Sequence, residues 1–97
     1  MAKAKAKVNH LLFTGDCIEL LPQKCKKGTI DLIACDPPYN IGQDYDAYHD
    51  KKSRDEYLAW TKKWMQAAHV ALKPDGALWF AIGDHFAAEA KVLACAL

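Results

Sequence analysis

Residues 29–39 read Thr-Ile-Asp-Leu-Ile-Ala-Cys-Asp-Pro-Pro-Tyr, and no other stretch constrains the fold as much. An almost unbroken apolar run from Thr29 to Cys35 predicts a strand covered on both faces, as in a parallel sheet. It stops abruptly on Asp36. Pro37 and Pro38 then fix two successive φ angles and rule out an immediate helix. A buried strand that ends on a carboxylate beside a rigid corner belongs at the carboxyl edge of an α/β sheet. Ligands bind at that edge.

The flanking segments supply the rest of an α/β rhythm. His10–Thr14 predicts a short buried strand ended by Gly15-Asp16. Asp16 is a good N-cap for a short helix through Cys17–Leu21, with Glu19 three residues on and Pro22 late in the segment. Lys24, Lys26, Lys27 and Gly28 form a polar turn. After Tyr39, residues 40–52 show no period and read as a long polar loop, long enough to suspect of function. Ser53-Arg-Asp-Glu56 is a capping box that opens the clearest helix. Tyr57, Trp60, Trp64, Ala67, Ala68 and Ala71 share one of its faces, broadened by Leu58, Met65 and Leu72. Its tryptophans are read as core packing against a sheet. Lys73-Pro-Asp-Gly76 is a stop and a turn. Ala77–Gly83 predicts another apolar strand. Asp84 is placed to cap a last helix carrying Phe86, Ala90, Val92 and Leu93, which runs off the end at Leu97. Strand, helix, strand, loop, helix, strand, helix predicts a parallel sheet with flanking helices.

Three carboxylates fall at strand ends: Asp16, Asp36 and Asp84. Helix capping accounts for Asp16 and Asp84. It does not account for Asp36, because two prolines follow it. Carbonyls near Pro37 gain no intrahelical partner and stay available as acceptors. Asp36 adds a carboxylate beside them, and Tyr39 adds a flat ring. Two converging acceptors and an aromatic plane suit a planar group that donates two N–H bonds, such as the exocyclic amine of a nucleobase. A base read this way has to leave the helix stack and enter a pocket.

Composition removes other classes. The 97 residues allow one small domain, and 13 basic against 12 acidic side chains leave a net charge of +1, so charge alone implies no nucleic-acid partner. No apolar run approaches the roughly 20 residues of a membrane span. Residues 1–9 carry Lys3, Lys5 and Lys7 without an apolar segment after them, which predicts a solvated tail rather than a signal peptide. Cys17, Cys25, Cys35 and Cys95 show no Cys-x-x-Cys spacing. They read as free thiols of a reducing cytoplasm, and no metal site is expected from them or from the four histidines.

Asp36-Pro37-Pro38-Tyr39 resembles the catalytic motif of amino-methylating DNA methyltransferases, which act on adenine N6 or cytosine N4. The context is similar too, from "FTGDCIELLPQ" through "GTIDLIACDPPYNIG" to "YLAWTKKWMQAAHVALKPDGALWFAIGDH". The resemblance covers roughly residues 10–97 and is to the permuted β group, in which the catalytic half precedes the cofactor-binding half. It implies a partial Rossmann-like fold and S-adenosyl-L-methionine as methyl donor. It also implies double-stranded DNA as substrate and a place in DNA methylation or restriction-modification. By that resemblance, Asp36 and the Pro37 carbonyl hold the target amine, Pro38 sets the corner and Tyr39 stacks on the flipped base. Asp16 matches a position that contacts the cofactor's adenosine. The loop 40–52 is then a mobile segment near DNA, with Lys51, Lys52 and Arg54 in reach of phosphates.

The sequence departs from the family in lacking a glycine-rich F-x-G-x-G loop and any target-recognition segment. Residues 10–97 therefore read as the catalytic half of a methyltransferase domain, inactive alone and needing a C-terminal half or another chain to complete the sheet. The resemblance implies the sheet order 3-2-1-4-5. Residues 29–35 (strand 4) should pair in parallel with 77–83 (strand 5), while 10–14 (strand 3) lacks its neighbour. An unpaired apolar edge predicts poor solubility, oligomers or partial folding. Adenine N6 is favoured by an Asp at the first motif position, with cytosine N4 as the alternative. RNA or protein-glutamine methylation, where Asn-Pro-Pro-Tyr is commoner, and a non-catalytic binding role remain as further readings.

Overall fold

The computed structural model describes residues 9–43, 45 and 49–97. The lysine-bearing tail and the centre of the 40–52 loop, including Tyr48, lie outside the described residues. The order of elements is α1 (Cys17–Lys24), β1 (Ile30–Cys35), α2 (Arg54–Ala71), β2 (Leu72–Phe80), a 3₁₀ turn (Asp84–Phe86) and α3 (Ala87–Cys95). β1 and β2 pair in parallel, as expected, and α2 lies in the crossover between them.

Local chemistry sets the helix starts. The Asp16 carboxylate accepts from the Ile18 amide at 3.0 Å, and Ser53 Oγ accepts from the Glu56 amide at 3.2 Å. Each satisfies one of the amides a helix start leaves open. Pro22 sits inside α1 and does not end it, because its ring costs one intrahelical bond in a helix that stops two residues later.

The core lies between the sheet and one layer of helices. Trp64 and Met65 of α2 and Ala90 of α3 are its buried centre. Ile18 of α1, Cys35 of β1, Leu78 and Phe80 of β2, and Leu93 of α3 pack around them. Burying side chains of this size stabilises by about 1.5–3 kcal/mol each. The aromatic face of α2 buries Tyr57 and Trp64, while Trp60 is only half-buried. Thr61 is buried among these residues, which a face drawn from apolar residues alone does not include. Val92 of α3, grouped with the packing residues in the sequence, is 69% exposed.

Four sequence expectations are corrected. Residues 10–14 form no strand. They run as irregular chain beside α1, with Leu11 and Leu12 exposed and the Lys24 ammonium 4.8 Å from the centre of the Phe13 ring. An extended segment needs a neighbour to become a strand, and no described segment offers one. β1 and β2 are covered on one face only: Leu32, Ala34 and Trp79 point to the other side and are exposed. The strand at 77–83 starts earlier and ends earlier. Leu72 already pairs with Ile30, and Ala77 pairs with Leu32, so Lys73–Gly76 is looped out of the ladder. Gly76 lies so close to β1 that a Cβ there would meet the Ile30 carbonyl oxygen at 3.0 Å. Finally, Asp84 caps no helix through its side chain. The chain enters α3 through the 3₁₀ turn, and α3 ends at Cys95.

Candidate active site

The corner after β1 is braced from three directions. The Ala81 amide donates to the Cys35 carbonyl at 3.0 Å, which holds the strand to its last residue. Tyr57 Oη, rising from the first turn of α2, donates to the Pro38 carbonyl at 2.6 Å. Gly83 lies against Tyr39, where a Cβ would meet the Tyr39 Cβ at 3.3 Å. Pro37 is buried, while Asp36 is exposed. The two proline carbonyls therefore differ. That of Pro38 is taken by Tyr57, and among the described residues none donates to that of Pro37.

Asp36, Pro37 and Tyr39 line an open cavity of about 340 Å³ together with Ile41, Gln43 and Tyr45. The size is within the usual range of small-molecule pockets. Three of the four motif residues thus meet at one cavity, and Pro38 is not among its lining residues. Tyr39 Oη donates to Asp36 Oδ1 at 2.8 Å. That bond, a little burial and the nearby Asp36 charge raise the Tyr39 phenol above its ordinary pKa, because each disfavours a phenolate. Burial, with smaller effects of Cys17 and Asp36, pushes the Cys35 thiol up to about 11. A thiol so disposed is a packing group rather than a nucleophile.

The segment after the motif is tied down by residues that the sequence reading missed. Asp50 is 3% exposed, and its carboxylate accepts from the backbone amides of Asn40 (2.9 Å), Ile41 (3.2 Å) and Gln43 (2.9 Å). Asn40 takes up φ 62°, a left-handed conformation that Asn tolerates better than most residues. Its side chain donates to the Lys52 carbonyl at 2.8 Å and accepts from the Lys52 amide at 2.5 Å. Gly42 donates to the Asp50 carbonyl at 2.8 Å. Residues 40–43 and 49–52 are therefore one laced unit, not two free ends of a loop. Asn40 beside Gly42 hints at a left-handed turn in the sequence, but nothing marks Asp50 among the neighbouring aspartates.

The remaining site residues lie elsewhere. Asp16 is not among the residues lining the Asp36 cavity, and its Oδ1 is occupied in capping α1. Lys52 Nζ reaches the His49 carbonyl at 3.3 Å, and Arg54 approaches Asp55 at 3.7 Å on the surface. Among the described residues no group of three His, Cys, Asp or Glu side chains is placed to hold a metal ion. All four cysteines are free. No described helix is long and apolar enough to cross a membrane.

A two-stranded parallel sheet with flanking helices and an open cavity at the carboxyl end of β1 fits a partial α/β methyltransferase fold. Residues 30–96 match the DNA methylase family of N6- and N4-methylating proteins, and the chain belongs to that family. It is similar to the Type II methyltransferase M.MjaVI of Methanocaldococcus jannaschii, 40% identical over 72 residues, which are 74% of this chain and 36% of that protein. It is also similar to the Type II methyltransferase M.BamHI of Bacillus amyloliquefaciens, 41% identical over 69 residues, 70% of this chain and 16% of the relative. The DNA adenine methyltransferase YhdJ of Escherichia coli is 32% identical over 65 residues, 67% of this chain and 22% of the relative. The chain thus spans about a third or less of the length of these relatives.

Proposed function

We propose that this chain is the target-base half of a DNA methyltransferase that modifies the exocyclic amine of a flipped base, most directly adenine N6. The observation that carries the reading is that Asp36, Pro37 and Tyr39 line one open cavity, where Asp36 is exposed and no described residue donates to the Pro37 carbonyl. Two acceptors side by side match the two N–H groups of an amine. Holding both N–H bonds keeps the nitrogen lone pair directed away from the base plane, toward an incoming methyl group. The catalysis asked of this chain is orientation and hydrogen bonding, which needs no covalent intermediate. A nitrogen that gains a methyl group has to lose a proton, and Asp36, beside it and open to water, is the acceptor at hand.

S-adenosyl-L-methionine supplies the methyl group in this reading. The residues of this chain do not by themselves form its site: Asp16 is engaged as a cap, and the sequence holds no glycine-rich F-x-G-x-G loop. The 97-residue chain alone is accordingly expected to transfer no methyl group. The exposed sheet face at Leu32, Ala34 and Trp79 and the exposed Leu11 and Leu12 are the surfaces a cofactor-binding half would cover. Cytosine N4 is the second reading, since that amine also offers two N–H donors.

A nucleoside titration followed by NMR tests the pocket. With 2′-deoxyadenosine and deoxycytidine, resonances of Asp36, Tyr39 and Ile41 should shift, more strongly with deoxyadenosine. Thymidine, which has no exocyclic amine, should leave them in place. An equal response to thymidine contradicts amine recognition.

A further inference from the structure

We propose that Asp50 is a positioning residue: its buried carboxylate holds residues 40–43 in the shape that lets Ile41 and Gln43 line the Asp36 cavity. The proposal rests on the reading of that cavity as a base pocket. Ile41 and Gln43 line the same cavity as Asp36 and Tyr39. Neither belongs to a helix or strand, so nothing in regular secondary structure fixes them. Their own amides are held by one side chain, while the Gly42 amide between them donates to the Asp50 backbone carbonyl. Asp50 Oδ1 accepts from Asn40, and Oδ2 accepts from both Ile41 and Gln43. Three amides converging on one charged acceptor are stronger than three neutral bonds, and burial shields them from competing water.

The clamp also bears on Tyr39. Asn40 follows it directly and is held twice, by Asp50 at its amide and by Lys52 at its side chain. Gly83 lies against the Tyr39 side chain, and the residue that follows Tyr39 is fixed in place. An Asp50→Asn substitution keeps the shape but presents one NH₂ group where an oxygen accepted. Placed at Oδ2, it opposes two amide donors; placed at Oδ1, it opposes one. Either way the charge is gone. Asp50→Glu keeps the charge, displaced by one methylene.

Amide exchange on the ¹⁵N-labelled 97-residue chain tests this. In Asp50→Asn, the amides of Asn40, Ile41 and Gln43 should exchange at least about tenfold faster, while those of Trp64, Met65 and Ala68 stay within about twofold. Asp50→Glu should recover part of the protection, which a role in packing alone does not predict. The Tyr39 ring resonances should move in Asp50→Asn and return toward their places in Asp50→Glu. Acceleration spread equally over α2 overturns the proposal, since Asp50 would then serve only global stability. Unchanged exchange at 40–43 overturns it as well. Titration with 2′-deoxyadenosine separates the two ideas. If the parent chain responds and Asp50→Asn responds several-fold more weakly, both hold. If the parent chain does not respond but the local exchange is lost, the base reading fails and the clamp stands.

Discussion

Removing one oxygen from Tyr57 should loosen the whole corner. The Tyr57 ring is 1% exposed and packs against Phe86, with ring centres 4.7 Å apart, and against Trp60 at 5.8 Å. Tyr57→Phe keeps these contacts and deletes only the hydroxyl that donates to the Pro38 carbonyl at 2.6 Å. An acceptor left without its donor in a buried place costs about 1–3 kcal/mol. Pro38 is half-buried, so water can replace part of the bond, and the lower part of that range, about 1–2 kcal/mol, applies. The unfolding entropy of a domain this size is about 0.2 kcal/mol per kelvin, so Tm should fall by roughly 5–10 °C. Thermal unfolding followed by far-ultraviolet circular dichroism reads the change. Amide exchange at Asn40, just past the corner, should accelerate with it. A Tm within about 1 °C of the parent would refute the argument, because it would mean that Pro38 is equally well satisfied by solvent.

Other expectations follow from single groups. Thr61 Oγ1 is buried without a hydrogen-bond partner among the described residues, so Thr61→Val should stabilise the chain by about 1 kcal/mol, and a drop in the urea midpoint would count against that. Cys35, with its thiol pushed up to about 11 against a reference of 9.0, should form roughly 100-fold less thiolate than an ordinary cysteine at neutral pH. Iodoacetamide should label exposed Cys95 well before Cys35, and mass spectrometry of the digest would show the opposite order if the thiol were activated. The Tyr39 phenol, raised by its bond to Asp36, should ionise above the ordinary tyrosine range, and Asp36→Asn should bring it down. The sign for stability is that of a raised pKa: the contribution is complete below the ordinary tyrosine value and is lost as pH climbs through the folded value. Ultraviolet phenolate titration of both chains measures it, and identical curves would show that the Tyr39–Asp36 bond has no weight in solution.

The parts of the molecule governed by local signals were legible in the sequence. Asp16 and Ser53 cap their helices because short oxygen-bearing side chains satisfy open amides whatever the tertiary setting. A parallel sheet followed from apolar runs alternating with helices, and the pairing of 30–35 with 77–80 from the sheet order that the family resemblance implies. The corner at Asp36 was legible because two prolines leave the backbone few choices. What failed depended on neighbours. His10–Thr14 has the composition of a strand but no partner among the described residues. Leu32 and Trp79 look like residues of a strand covered on both faces, yet only one face is covered here. Asp84 has the right residue type for a cap, but Gly83 and a 3₁₀ turn precede α3 and move its start. Asp50 was invisible because its role exists only once the chain has folded back on residues 40–43.

The central claim is that Asp36 acts on the reacting amine rather than on DNA affinity, which comes mainly from phosphate contacts. The direct test is Asp36→Ala in a full-length methyltransferase carrying this segment. Single-turnover transfer from labelled S-adenosyl-L-methionine would be measured alongside DNA affinity at the same salt concentration. Loss of a preorganised hydrogen bond to the reacting group predicts a rate lower by about 10²-fold or more, with affinity within about threefold of the parent. Near-normal turnover in Asp36→Ala, or a loss confined to DNA affinity, would contradict the account.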